Sequence, residues 1–260
     1  MPIADADFIA GMAKGMAVLE SFDTQRQRLN ATLAAQRAGL TRAAARRHLL
    51  TLAHLGYLES DGRYFWLSPK VLRFSGSYLA TARLPRLVQP MLNQLALATR
   101  QGLSVVVLDG AEGVIVARGL VHSAPAQQAA ELSAQGLHLG ARLPAHATST
   151  GRVLLAGLSS TELRAWLARH PLPRLTGQTI TTASALKKII AQVRQQDWCF
   201  AADQHELGVQ ALAVPLRDMQ GRVVAALNAV ATGTVVDPAD FQRTLLPHLQ
   251  EAARQMRAQL

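Results

Sequence analysis

The 260-residue chain is short of cysteine, aromatic residues and acids, and each shortage excludes something. A lone Cys199 rules out an intramolecular disulfide framework and leaves no CxxC pair for a zinc site. His122, His138, His146 and His205 are scattered, with no HExxH and no His/carboxylate pair at i, i+4, so neither metal nor cofactor is expected. There is no GxSxG elbow and no P-loop, which removes two common signs of an enzyme. No apolar stretch approaches the ~18 residues of a membrane span. The opening MPIADADFIAG lacks the basic region and apolar run of a secretory signal. A soluble cytoplasmic protein with no membrane partner is expected.

Acids are scarce in a particular place. Seventeen Asp and Glu stand against 27 Lys and Arg, a net charge of +10, which favours a polyanionic partner without naming it. Between Thr24 and Tyr57 come Arg26, Arg28, Arg37, Arg42, Arg46 and Arg47, and no acid at all.

The local grammar around that block is specific. Met12, Met16, Leu19 and Phe22 recur at helical spacing, so a first amphipathic helix is expected over 11–22 with this stripe packed inward. Asn30 or Thr32 can cap a second, alanine-rich helix that Gly39 stops. Thr41 restarts the chain as a third helix running to about Leu55, and two short helices across a tight turn are a helix-turn-helix. In the third helix Ala45, Leu49, Leu52 and Leu55 form one stripe, with Arg42, Ala43, Arg46 and Arg47 largely opposite. Asp61-Gly62 between two apolar-rich runs then signals a hairpin, which in this position is a wing.

A recognition helix enters the major groove with its N-terminal residues nearest the base edges. Thr41, Arg42, Ala43, Ala44, Arg46 and Arg47 hold those positions. The alanines permit close approach and contact with thymine methyls, and the arginines offer donors to guanine or phosphate. Lys14 and Arg63, at the rim, suit phosphate contacts. An arginine run alone reads equally as a solvated helix face; the adjoining hairpin and the acid-free flank favour double-stranded DNA.

Beyond the wing, 68–83 reads as a linker helix, and a boundary near Leu84 gives 1–67 as the DNA-binding domain, 68–84 as linker and 85–260 as a second domain. There, Val/Ile-rich runs flank Asp109 to Gly113 as a hairpin. Ser159 and Glu162 form a capping box, 185–196 is a helical pattern, and two strands meet near Gln220-Gly221. Asp237-Pro238 opens a last helix to Leu260. Antiparallel strands with flanking helices make an α+β domain.

Five segments, in order, give the chain a family resemblance: AKGMAVLESF, GLTRAAARRHLLTLAHLGYL, the stretch 57–74, RLPAHATSTGRVLLA and ELGVQALAVPLRDMQGRVVAALNA. Over essentially its whole length the chain resembles the IclR family of bacterial regulators. DADFIAGMAKGMAVLESF, TSTGRVLLA and AALN are most similar to the branch that controls aromatic-acid catabolism through the β-ketoadipate pathway.

The resemblance implies a winged helix-turn-helix followed by a GAF-like effector domain with a twisted antiparallel sheet. It implies a non-enzymatic homodimer, or dimer of dimers, on a palindromic or repeated operator, with RNA polymerase as a further partner. The implied effector is a small organic acid such as 4-hydroxybenzoate, protocatechuate or β-ketoadipate. It would sit at the start of the helix near Thr148, where Ser149, Thr150 and Gly151 offer backbone donors to a carboxylate and Thr148, Ser149 and Thr150 offer hydroxyls, or serve only as caps. Asn228, polar in an apolar run, is the implied partner from the sheet, with a structural hydrogen bond as the other reading. Leu137, Leu139 and Leu143 would pack on the ligand or simply in the core. His205 would orient a strand, and Cys199 would serve packing.

Members that bind small keto acids carry an aspartate, a cysteine and a serine where this chain has Ala201, Ala211 and Val230. A roomier, less polar pocket follows, which favours an aromatic ring. Three alternatives stand beside this reading: an IclR-type sensor of a keto acid, a small enzyme on the GAF-like domain, and an architectural DNA-binding protein with no ligand.

Overall fold

The computed structural model describes residues 3–23, 26–119, 137–232 and 237–260, so His122 lies outside the described residues. The chain divides into two compact units, Met1–Tyr78 and Leu79–Leu260.

In the first unit, helices α1 (Ala10–Leu19), α2 (Ala31–Ala38) and α3 (Arg42–His54) precede strands β1 (Leu58–Ser60) and β2 (Phe65–Leu67). Local chemistry sets the boundaries. The Asn30 side chain accepts from the Thr32 and Leu33 amides at 3.1 and 3.0 Å, so Asn30 and not Thr32 caps α2. Gly39 ends the helix in the left-handed region, φ 65°, where a side chain is penalised. Thr41 Oγ1 accepts from the Ala44 amide at 3.2 Å and starts α3. In the wing turn the Asp61 carboxylate accepts from the Arg63 and Tyr64 amides at 3.0 and 2.7 Å, and Gly62 takes φ 90°. Val18, Phe22, Leu29, Leu49, Leu58 and Phe65 fill the core.

Two expectations fail here. Helix α1 stops at Leu19, and Met12 and Met16 are 66% and 49% exposed; only its last turn, through Val18, reaches the core. Leu55 is 49% exposed because α3 ends one residue before it. The expected linker helix is also interrupted. A turn over Pro69–Val71, capped by Ser68, leads into α4 (Leu72–Thr81), and Ala82 is extended before α5 (Arg83–Thr99) begins.

The second unit carries β3 (Gly102–Asp109), β4 (Glu112–Gly119), β5 (Arg142–Pro144), α6 (Ser149–Gly157), α7 (Ser160–Arg169) and α8 (Ala183–Gln196). Then come β6 (Cys199–Ala202), β7 (Val209–Arg217), β8 (Val223–Thr232) and α9 (Pro238–Met256). The strands form one antiparallel sheet in the order β5-β4-β3-β8-β7-β6. Helices α5 and α9 cover one face, burying Leu92, Leu103, Val105, Leu227 and Leu249. Helix α6 packs on the other, where Val106, Ile115, Val153, Leu154 and Ala226 meet. The Ser159–Glu162 capping box is present, and Asp237 caps α9.

Strand β4 is irregular. Val105 pairs with Ala117 but the next residue, Val106, pairs with Ile115, so Val116 is an extra residue in a β-bulge. Val116 and Ala117 both join the cluster under α5 and α9. Ile115 and Arg118, three residues apart, therefore share the opposite face.

Candidate functional site

The structure leaves most of the expected DNA-contact residues exposed. Thr41, Arg42, Ala43, Arg46, Arg47 and Arg63 are exposed and Ala44 is half-buried. A groove of about 400 Å³ between the start of α2, α3 and the wing is lined by Thr32, Arg42, Arg46, Gly62 and Arg63. Arg47 lies off this groove. Two other arginines are neutralised: Arg37 pairs with Asp23, and Arg28 lies 3.6 Å from Asp61. Among the described residues no carboxylate pairs with Arg42, Arg46, Arg47 or Arg63. The Thr41 hydroxyl is committed to its cap.

In the second unit a narrow cavity of about 50 Å³ lies between the α6 face of the sheet and the start of α6. Ser104, Val106, Ile115, Ala211, Asn228 and Val230 form its floor, and Thr148, Ser149 and Thr150 close one side. Leu137, Leu143, Ala201, Gln204 and His205 complete the wall. Thr148 caps α6, its Oγ1 accepting from the Gly151 amide at 3.1 Å, and Thr150 donates to the same oxygen at 3.5 Å. Ser149 is 1% exposed and Asn228 7% exposed, and among the described residues neither Ser149 Oγ nor Asn228 Oδ1 has a hydrogen-bond partner. A buried polar atom left unmatched costs ~1–3 kcal/mol, so two on one cavity wall mark the place where a ligand's polar groups fit.

Two of the expected ligand residues lie elsewhere. Leu139 is 45% exposed, beside the turn at Gly140, and does not line the cavity. Gly151 does not line it either, because a Cβ there would stand 2.2 Å from the Ala145 backbone; the glycine exists to let that segment pack against α6. Ala201, Ala211 and Val230 all line the cavity.

Sequence reasoning missed a polar clamp beneath the cavity. Arg152 is 3% exposed; its Nε donates to the His146 carbonyl at 2.8 Å and its Nη2 donates to Gln204 Oε1. Gln204 also accepts from the Ile180 amide at 3.2 Å and donates to the Gln178 carbonyl at 2.6 Å. The signal was an arginine within the apolar run of TSTGRVLLA. Burial lowers the pKa of His146, the positive Arg152 and His205 adding to the effect against its hydrogen bond to Pro173. Burial likewise lowers that of His205, Glu206 opposing. The Cys199 thiol is pushed up to about 11 by burial despite the neighbouring Arg152, so it is neutral packing at physiological pH and no nucleophile.

Cations left unpaired on a winged helix, and a polar-lined cavity on an attached α+β unit, define a ligand-responsive DNA-binding regulator. Residues 11–62 match the IclR helix-turn-helix domain and residues 76–258 match the bacterial transcriptional regulator IclR C-terminal domain. The chain belongs to the IclR family of transcriptional regulators.

It is 51% identical to the Pca operon regulatory protein of Acinetobacter baylyi over 98% of this chain and 90% of that protein. It is 47% identical to the p-hydroxybenzoate hydroxylase transcriptional activator of the same organism, over 98% and 93%. Among solved structures, an IclR homolog complexed with 4-hydroxybenzoate from Microbacterium hydrocarbonoxydans is 27% identical, with a TM-score of 0.69 over 95% of this chain and 98% of that one. The family, its aromatic-acid branch and the α+β architecture stand as the residues implied. No helix among the described residues is long and apolar enough to cross a membrane.

Proposed function

We propose that this protein switches genes of aromatic-acid catabolism in response to a small carboxylate of the class of 4-hydroxybenzoate, protocatechuate or β-ketoadipate. The observation that carries the reading is the pair of buried, unpartnered atoms, Ser149 Oγ and Asn228 Oδ1, on one cavity. Leu137, Ala211, Ala201 and Val230 give that cavity an apolar wall suited to a ring, and Thr148, Ser149, Thr150 and Asn228 supply its polar contacts. Thr41, Arg42, Ala43, Ala44, Arg46, Arg47 and Arg63 form the DNA face.

One winged helix buries too little surface for tight discrimination, so a homodimer or dimer of dimers reads a palindromic or repeated operator in the cytoplasm. Effector binding couples to operator binding by about 1–3 kcal/mol, a magnitude common among allosteric proteins. RNA polymerase is proposed as a further partner.

The test is a thermal-shift panel of 4-hydroxybenzoate, protocatechuate, β-ketoadipate, pyruvate and glyoxylate, followed by operator binding with the hit. A ligand at ~100 times its Kd adds about 2.7 kcal/mol to native stability. Stabilisation by one of the first three is expected. A response confined to pyruvate or glyoxylate keeps the regulator and overturns the effector class; silence overturns the proposed site.

A further inference from the structure

Helix α6 offers the cavity hydroxyls and amide dipoles, and its one cation, Arg152, is committed to the His146 carbonyl and Gln204; an acid bound in a dry site needs a counter-charge or a strong set of donors. The sheet carries a cation, Arg118, that does not itself line the cavity but adjoins two residues that do, Ser104 and Leu137. Because of the bulge at Val116, Arg118 shares the face of Ile115 and stands directly across from Ser104 in the strand register. Ser104 in turn pairs with Asn228, so Arg118, Ser104 and Asn228 make one row across β4, β3 and β8. Ser104 and Asn228 are both on the cavity floor, and the Arg118 guanidinium donates to the carbonyl of Leu137, another wall residue.

Among the described residues the buried Arg118 Nε has no hydrogen-bond partner. Among the described residues no carboxylate pairs with the side chain, and burial alone pulls its pKa down. A guanidinium presents its donors as a planar fork matched to a carboxylate. Two strand spacings, about 10 Å, separate Arg118 from Asn228, with only the small Ser104 between them, which leaves room for a ring across the row.

We propose that Arg118 is the anchor for the effector's carboxylate, and that Ser149 and Asn228 receive the polar group at the ligand's other end. The proposal rests on the sensor reading above and moves the carboxylate from the α6 N-terminus to the sheet. It makes charge, not shape alone, the condition for a response.

Calorimetry on the full-length protein tests it with 4-hydroxybenzoate and protocatechuate, each beside its neutral amide, and with β-ketoadipate. A charge-assisted bidentate contact is worth about 10- to 100-fold in affinity, so wild type prefers acid to amide by that factor. Arg118→Met loses the preference by weakening the acid and leaving the amide within about threefold, and Arg118→Lys recovers part of it. If Arg118→Met binds the acid as wild type does, the anchor is overturned and the sensor stands. If wild type binds acid and amide equally, the anchor is overturned without any variant. If wild type binds no acid of the panel, the sensor reading falls and takes the anchor with it.

Discussion

The two units differ in where they leave polar groups unmatched. Among the described residues the DNA-facing unit satisfies its interior, with Asn30, Thr41 and Asp61 each closing a turn or helix start, and leaves Arg42, Arg46, Arg47 and Arg63 without a carboxylate partner at the surface. The sensor unit does the reverse: its surface carries ion pairs such as Arg142 with Asp109 and Glu112, while Ser149, Asn228 and Arg118 hold unpartnered atoms inside. Each unit is incomplete where its partner belongs, outside for a long polyanion and inside for a small acid. Unmatched polarity, more than residue type, locates function here.

The contrast breaks most visibly on the outer surface. Replacing Arg46 and Arg47 together by alanine removes two unpaired cations; operator affinity should fall by roughly 10- to 100-fold at physiological salt. The slope of log affinity against log salt should become shallower by about 0.9 for each phosphate that the variant no longer neutralises. Filter binding or fluorescence anisotropy across a salt series reads both, and an unchanged slope would assign these arginines to the solvated face instead. The sensor's melting temperature should not move.

Asn228→Leu sharpens the other half. It removes an unmatched oxygen that the ligand would meet, so effector affinity should drop about 5- to 30-fold while apo stability is unchanged or slightly raised. Operator binding without effector should match wild type. A variant that melts several degrees lower would show that Asn228 holds the sheet together and not the ligand.

The smallest effect separates the units by pH. His146 and His205 are held neutral by burial, so their folded pKa values lie below the unfolded value of about 6.5. The unfolded chain takes up protons first as pH falls, and the stability these residues contribute, full above about pH 6.5, is lost on acidification toward the folded values. The sensor unit's thermal transition should therefore fall between pH 7.5 and 5.5, and His146→Gln should flatten the dependence. A pH-independent transition would contradict the burial argument.

The first unit was the more legible from sequence because its boundaries are set by short-range chemistry: one cap, one glycine and one Asp-Gly turn fix most of it. The failure at Met12 and Met16 has the same root, since periodicity shows that a helix has an apolar face but not what lies opposite it. In the sensor unit the hairpin, the capping box and the position of Asn228 were readable. Strands β5 and β6, of three and four residues, are too short to show alternation. Arg118 was invisible for a sharper reason: simple alternation from Ile115 sends it to the wrong side of the sheet, and only the extra residue at Val116 turns it back.

That bulge also bears on how the sheet finds its pairing during folding. Were the strand to close without it, the Arg118 guanidinium would enter the dry layer beneath α5 and α9, among Leu92, Leu103 and Leu249. Burying an unpaired cation there costs several kcal/mol, enough to make the mispaired strand unproductive. The charge of Arg118 thus weighs against the one-residue slip between β3 and β4 as well as towards the ligand.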